Sequence, residues 1–143
     1  MAVVRCEAAP KNSSYRFFLE VSTVLQGIPG EPKKFPLVGD QWAIGGEILK
    51  WDPWVNLFGI KNCHRLTRIQ SRYLKAEAEM QQPRAAYDIN GGVNRWWLFL
   101  YRWGRWIPLV EAVYGNAAYT LAQPGSRFGV YVTLSGYLVK PLK

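Results

Sequence analysis

"KNCHRLTRIQSRYL", residues 61 to 74, can be read two ways, and the choice decides the fold. Lys61, Arg65, Arg68, Arg72 and Lys75 recur at steps of three and four, the spacing of one helix face, with Leu66, Ile69 and Tyr73 turned the other way. Thr67, Ile69 and Tyr73 suit a strand equally well. The neighbouring segments alternate strand-like runs with turns, so the reading taken is a strand over about 64–73.

Upstream, "YRFFLEVSTVL" (15–25) is aromatic and β-branched with no polar helical face, and "QGIPGEP" (26–32) is a turn cluster. A short run at 33–38 and the tight turn Gly39-Asp40 lead into "QWAIGGEILKW" (41–51). There Trp42, Ile44 and Ile48 share a face, and Gly45-Gly46 predicts a bulge or a close backbone approach. "DPW" (52–54) turns the chain again. Downstream, "KAEAEMQQ" (75–82) reads as a helical turn ended by Pro83, and 84–93 as a loop closed by Gly91-Gly92. The tail, "NAAYTLA" (116–122), "RFGVYVTL" (127–134) and "YLVKPL" (137–142) with turns between, predicts a three-strand meander. The fold class is therefore β-rich (α+β): one domain over 1–143, an antiparallel sandwich or partly open barrel carrying one Trp-rich amphipathic helix across it.

That helix is read from "NRWWLFLYRWGRWIPLVEAVYG" (94–115), which holds four of the seven tryptophans and three arginines, each directly before a tryptophan. At 100° per residue Trp96, Phe99, Leu100 and Trp103 gather on one face, with Arg95, Arg102 and Arg105 beside it. Asn94 suits the N-cap, and Gly104 and Pro108 the stop. The expectation is a Trp face packed inward, with Trp97, Tyr101 and Trp106 free to turn outward. The apolar run 96–110 is broken by Arg102 and Arg105 and is shorter than the roughly 20 residues a membrane span needs. The start, "MAVVRCEAAPKNSS", lacks the layout of a signal peptide.

The net charge of +8 is uneven. Between Asp52 and Glu77 no acid interrupts Lys61, Arg65, Arg68, Arg72 and Lys75, and after Asp88 the only acid is Glu111. Such an excess suits nucleic acid, anionic lipid or an acidic protein, or simply a solvated face. Interleaved aromatics would serve single-strand stacking or a headgroup layer, since tryptophan favours that level and arginine pairs with anionic lipid. Cys6 and Cys63 belong to no metal spacing; an oxidising compartment would let them pair, and otherwise they read as free buried thiols.

Catalysis finds little footing. His64 is the single histidine, with no acid near it in sequence, and no Gly-x-Ser-x-Gly, metalloprotease, phosphate-loop or dinucleotide motif occurs. No catalytic residue, metal ligand or cofactor is assigned, and the chain is read as no enzyme.

Four blocks in order, "GDQWAIGGEILKWDPWVNLFGI" (39–60), "HRLTRIQSRYL" (64–74), "VEAVYGNAAY" (110–119) and "VTLSGYLVKPL" (132–142), resemble the soluble C-terminal part of a family of uncharacterised bacterial membrane proteins often labelled multidrug or cation efflux pump-like. The resemblance covers essentially the whole chain. Asp40, Trp42, Lys50, Trp51, Arg68, Arg72, Tyr73, Tyr114 and Gly115 match the family pattern, while Glu111 replaces its usual aspartate and Gly45-Gly46 interrupts a usually unbroken strand. The resemblance implies membrane-spanning sequence ahead of this domain and a bacterial, membrane-associated setting. It does not carry transport, because a translocation path needs spanning helices or a closed barrel. Most matched positions have structural readings: Asp40 in a turn, Trp42 and Trp51 in the core, Gly115 at positive φ, and Arg68 and Arg72 paired with Glu111 or Asp40.

The expected function is a non-catalytic, membrane-tethered binding or accessory domain. Arg65, Arg68, Arg72, Arg95, Arg102, Arg105 and Trp106 would meet anionic lipid headgroups or a membrane protein. The alternative is a nucleic-acid-binding module using the same basic, aromatic surface.

Overall fold

The computed structural model describes residues 1–91, 94–133 and 135–143. In chain order the elements are β1 (Ala2–Ala8), β2 (Phe17–Leu25), β3 (Ile28–Pro29), β4 (Lys33–Leu37), β5 (Gln41–Trp51), α1 (Pro53–Asn56), β6 (Cys63–Arg72), α2 (Ala76–Gln81), β7 (Ala86–Asp88), α3 (Arg95–Trp103), β8 (Val110–Leu121), β9 (Arg127–Thr133) and β10 (Gly136–Leu142). A 3-10 turn, Gly104–Trp106, continues α3.

The strands form two antiparallel sheets. The first runs β10-β9-β1-β2, with β3 and β4 both on the far side of β2, and the second runs β7-β6-β5-β8. Alternation decides which face is buried. Val4 and Cys6 of β1, Leu19 and Val21 of β2, and Phe128 and Val130 of β9 point inward from the first sheet. Trp42, Ile44 and Ile48 of β5 and Leu66 and Ile69 of β6 meet them from the second. Trp42, fully buried, sets its ring edge-on to Phe128 at 5.5 Å between centroids. The result is a sandwich.

Sequence reading and structure part company at the tail. β8 is longer than 116–122 and pairs along its whole length with β5, whereas β9 and β10 return to the first sheet. No three-strand meander forms, because the turn at 123–126 crosses between layers rather than within one. The link between the layers is completed by Tyr137, whose backbone N–H donates to Asn116 Oδ1 at 2.8 Å and whose hydroxyl donates to Glu47 O at 3.3 Å. The 84–93 segment contains the short strand β7 on the edge of the second sheet, and Gly92 lies outside the described residues.

The bulge expected at Gly45-Gly46 is present, and it explains the double reading of 61–74. Gly45 faces Arg68 while Gly46 faces Leu66, so Thr67 is an extra residue in β6. In a regular strand a step of three reverses the face. The added residue restores it, so Arg65, Arg68 and Arg72 all reach the outer face of the sheet while Leu66 and Ile69 both reach the core. A bulged strand thus imitates helical spacing. Gly46 also lies so close to the Arg65 carbonyl and to the Tyr137 hydroxyl that any Cβ would collide with both.

Because β7 and β8 are opposite edges of the second sheet, the segment joining them has to cross the sheet's outer face. That segment is α3. Its N-cap is Asn94, whose side chain accepts from the Trp96 N–H at 2.9 Å.

Candidate functional site

The outer face of the second sheet is where the charged residues, the helix and the open rings meet. α3 rests on it through Trp97 and Leu100, which join Leu49 and Val110 in a second small core with Trp51, Ile107 and Val113 around it. Gly104 continues the same stripe and approaches Val113 so nearly that a Cβ would stand 3.1 Å from its methyl. Tyr101 places its hydroxyl over Gly115, 3.6 Å from where a Cβ would be. Gly115 therefore serves close approach, in extended backbone and not at the positive φ expected of it.

The helix is rotated from its expected setting. Positions 97, 100, 101 and 104 face the sheet, so Trp96, Phe99 and Trp103 point away from it and are exposed. The close seat over Val113 and Gly115 favours the stripe containing Gly104, and the largest apolar face of the helix is left outside. Trp96 is 60% exposed and Trp106 70%, values that rule out a core role for either. Trp96 and Phe99 stack on one another, with centroids 5.6 Å apart and planes 21° from parallel. Arg95 and Arg102 share the outward side. Arg102 lies over the Trp103 ring at 6.0 Å and Arg105 over the Trp106 ring at 5.4 Å, so two of the three Arg-Trp pairs are cation–π contacts between chain neighbours.

The three arginines of β6 occupy the same side of the molecule but have different duties. Arg65 is partly buried, donating Nη2–H to the Asn90 carbonyl at 2.6 Å and facing Glu47 at 3.8 Å. Arg72 lies 3.6 Å from Glu79 and 5.0 Å from the centre of the Tyr119 ring. The pairings considered from sequence do not occur: Glu111 is held by Lys50 at 2.8 Å and Asp40 by Arg16 at 2.7 Å. Asp40 does shape its turn, accepting from the Leu74 N–H at 3.3 Å. Arg68 makes no ion pair among the described residues and lines a cleft of about 560 Å³ with Glu47, Gln70, Asp88, Leu98 and Tyr101. Burial holds the Glu47 carboxyl above its ordinary value, with Arg65 only partly opposing the shift. Burial, aided by the Glu47 charge, likewise raises the Tyr101 hydroxyl.

The structure exposes a second apolar group that the sequence reading passed over as a turn. α1 and the loop behind it carry Trp54, Leu57, Phe58 and Ile60, all exposed. The signal is in the sequence: "WVNLFGI" (54–60) is a largely apolar run after Pro53 with no alternation to make it a strand. This loop lies beside the end of α3's connection, since the Asp52 N–H donates to the Leu109 carbonyl at 3.1 Å and Trp51 pairs with Val110.

Cys6 is buried, its thiol pushed up to about 11 by desolvation, whereas Cys63 is exposed and not the buried thiol expected. Among the described residues no group of three or more His, Cys, Asp or Glu side chains could hold a metal ion, and no helix is long and apolar enough to cross a membrane. His64 lies on β6 with its ring partly desolvated, and that desolvation, with the positive chain terminus, lowers its pKa. Compared with known proteins, the chain matches no family model, no curated protein and no solved structure.

Proposed function

We propose that this domain is a non-catalytic module that docks on an anionic lipid surface through the outward face of α3. One observation carries the reading: Trp96, Phe99, Trp103 and Trp106 are exposed on a helix that already has a core-facing stripe, and Arg95, Arg102 and Arg105 stand among them. Exposed aromatic rings are uncommon without a partner surface, and a cluster of this kind marks an interaction site. The mixture of tryptophan and arginine names the chemistry. Indole favours the headgroup layer, and guanidinium groups pair with lipid phosphates while their stems stay in apolar surroundings.

The family resemblance, with membrane-spanning sequence ahead of the domain, would keep such a face close to a bilayer. The alternative is single-stranded nucleic acid, which also uses arginine and aromatic rings. It receives less support, because Trp96 and Phe99 stack on each other and Arg65 and Arg72 are engaged within the fold.

Co-sedimentation with anionic and neutral vesicles, at low and physiological salt and beside a single-stranded oligonucleotide, separates these readings. Each basic residue near an anionic surface contributes about 1 kcal/mol. Arg102→Glu with Arg105→Glu changes four charges, so the expected loss of affinity for anionic vesicles is roughly a thousandfold. Tighter binding to the oligonucleotide than to vesicles, or vesicle binding untouched by the double reversal, would contradict the lipid reading.

A further inference from the structure

The exposed loop 53–60 is far from α3 in sequence, yet the fold brings its base beside the end of the connection from α3 to β8. β5 ends and β6 begins at one end of the sandwich, and β8 begins there too, so the loop and the Gly104–Trp106 turn leave the same end of the second sheet. Leu57 is 86% exposed and Phe58 77%, more than any ring of α3. Trp54 and Phe58 brace one another edge to face at 6.3 Å. The loop is also built: the Val55 side chain is buried, its N–H donates to the Asp52 carbonyl at 2.9 Å, and Asn62 Oδ1 accepts from the Trp51 N–H. A fixed loop is thus holding out its largest apolar side chains. From the first sheet, the β2–β3 turn carries exposed Leu25 and Ile28 near the N-terminus, and the Met1 carbonyl accepts from the Val24 N–H.

The charges around this end are complementary to one kind of occupant. Lys61 follows the loop directly, Arg105 lies in the neighbouring turn and Arg102 precedes it. Of the carboxylates on these segments, Glu111 is neutralised by Lys50 and Asp52 sits at the loop's base. Apolar side chains at a tip, with cations on segments that reach the same end of the sheet, match hydrocarbon lying beneath a layer of phosphates. Resting on the reading of α3 as lipid-facing, we infer that residues 54–60 are a membrane-inserting wedge. α3 supplies the electrostatic contact, Leu57 and Phe58 enter below the headgroups, and the sandwich docks by this end with the 123–126 turn pointing away.

The test uses a polarity-sensitive nitrobenzoxadiazole label on Phe58→Cys in a Cys63→Ser background, buried Cys6 being left in place. The same label on Gln123→Cys, at the opposite end, is the control. With anionic vesicles the label at 58 shifts to the blue and is quenched by lipids carrying a nitroxide in the acyl chain, while the label at 123 does neither. Unlabelled Leu57→Ser with Phe58→Ser weakens binding to anionic vesicles at least about tenfold at low and at high salt alike, because the lost apolar contribution is not screened, and binding within about twofold of wild type at both salts would overturn the wedge. If the protein sediments with vesicles and the label at 58 stays aqueous, the wedge is wrong while the α3 reading stands. If nothing sediments, the α3 reading fails first. A blue shift without vesicles that grows with protein concentration would instead assign the tip to a second copy of the chain and overturn the proposal.

Discussion

At Glu47 the carboxylate faces Arg65 at 3.8 Å and one of its oxygens is buried without a hydrogen bond among the described residues. Its pKa is raised from the ordinary 4.5, and desolvation is the leading cause. The sign follows from proton counting. Above about pH 4.5 the unfolded chain has released this proton while the folded chain still holds it, so stability falls as pH rises through the window and remains lower beyond it. Glu47→Gln removes the charge that is penalised. It should raise the midpoint of thermal unfolding at pH 7 and do so less at pH 4, measured by calorimetry at both. An equal gain at the two values, or a loss at pH 7, would show that the Arg65 pairing outweighs the burial. Nothing in the linear sequence singled out this glutamate, because its surroundings come from β6, α3 and β8, each remote along the chain. The arginines were legible as a charged set, but only partner geometry separates Arg65, which fastens Asn90, from Arg68, which lines an open cleft.

Among the elements, α3 gives the sharpest contrast between pattern and packing. Its limits and its Asn94 cap could be read from the sequence, since both follow from local chemistry. Its rotation could not. Counting apolar residues selects the face with Trp96, Phe99 and Trp103, but the sheet beneath accepts the stripe that ends in Gly104, where close approach is possible. The consequence is measurable. Trp97→Ala should cost about 3–5 kcal/mol, the range for deleting a buried aromatic side chain, while Trp96→Ala should stay within about 0.5 kcal/mol of wild type. Urea denaturation of the two variants compares them directly, and a reversed order would place the helix the other way round. β6 teaches the complementary lesson. Its charge spacing is helical and its structure is a strand, because one bulged residue opposite Gly45-Gly46 resets the phase. The glycine pair marked the place, and the choice of a strand followed from the neighbouring turns.

For the whole molecule, composition and turn spacing were enough for a β-rich domain, and strands at 15–25, 41–51 and 64–73 match β2, β5 and β6 closely. The division of strands between two sheets was not accessible. A turn such as 123–126 has the same chemistry whether it joins neighbours or crosses layers, so sequence alone groups β8 with β9 and β10. The pairing of β8 with β5 leaves loop 53–60 and the α3 connection at one end of the molecule, opposite the 123–126 turn. Basic charge in the sequence and rings left outside the core by the fold lie on segments that reach that end, which is what the proposed docking on anionic lipid rests on.

The tryptophans themselves offer the most direct measurement of that claim. Trp42 and Trp97 are buried, whereas Trp54, Trp96, Trp103 and Trp106 are exposed, so wild-type emission reports largely on the surface in question. On addition of anionic vesicles the account predicts a blue shift and strong shielding from acrylamide, with neither produced by a single-stranded oligonucleotide. Unchanged emission and quenching at saturating vesicle, or the same shielding from the oligonucleotide, would contradict it.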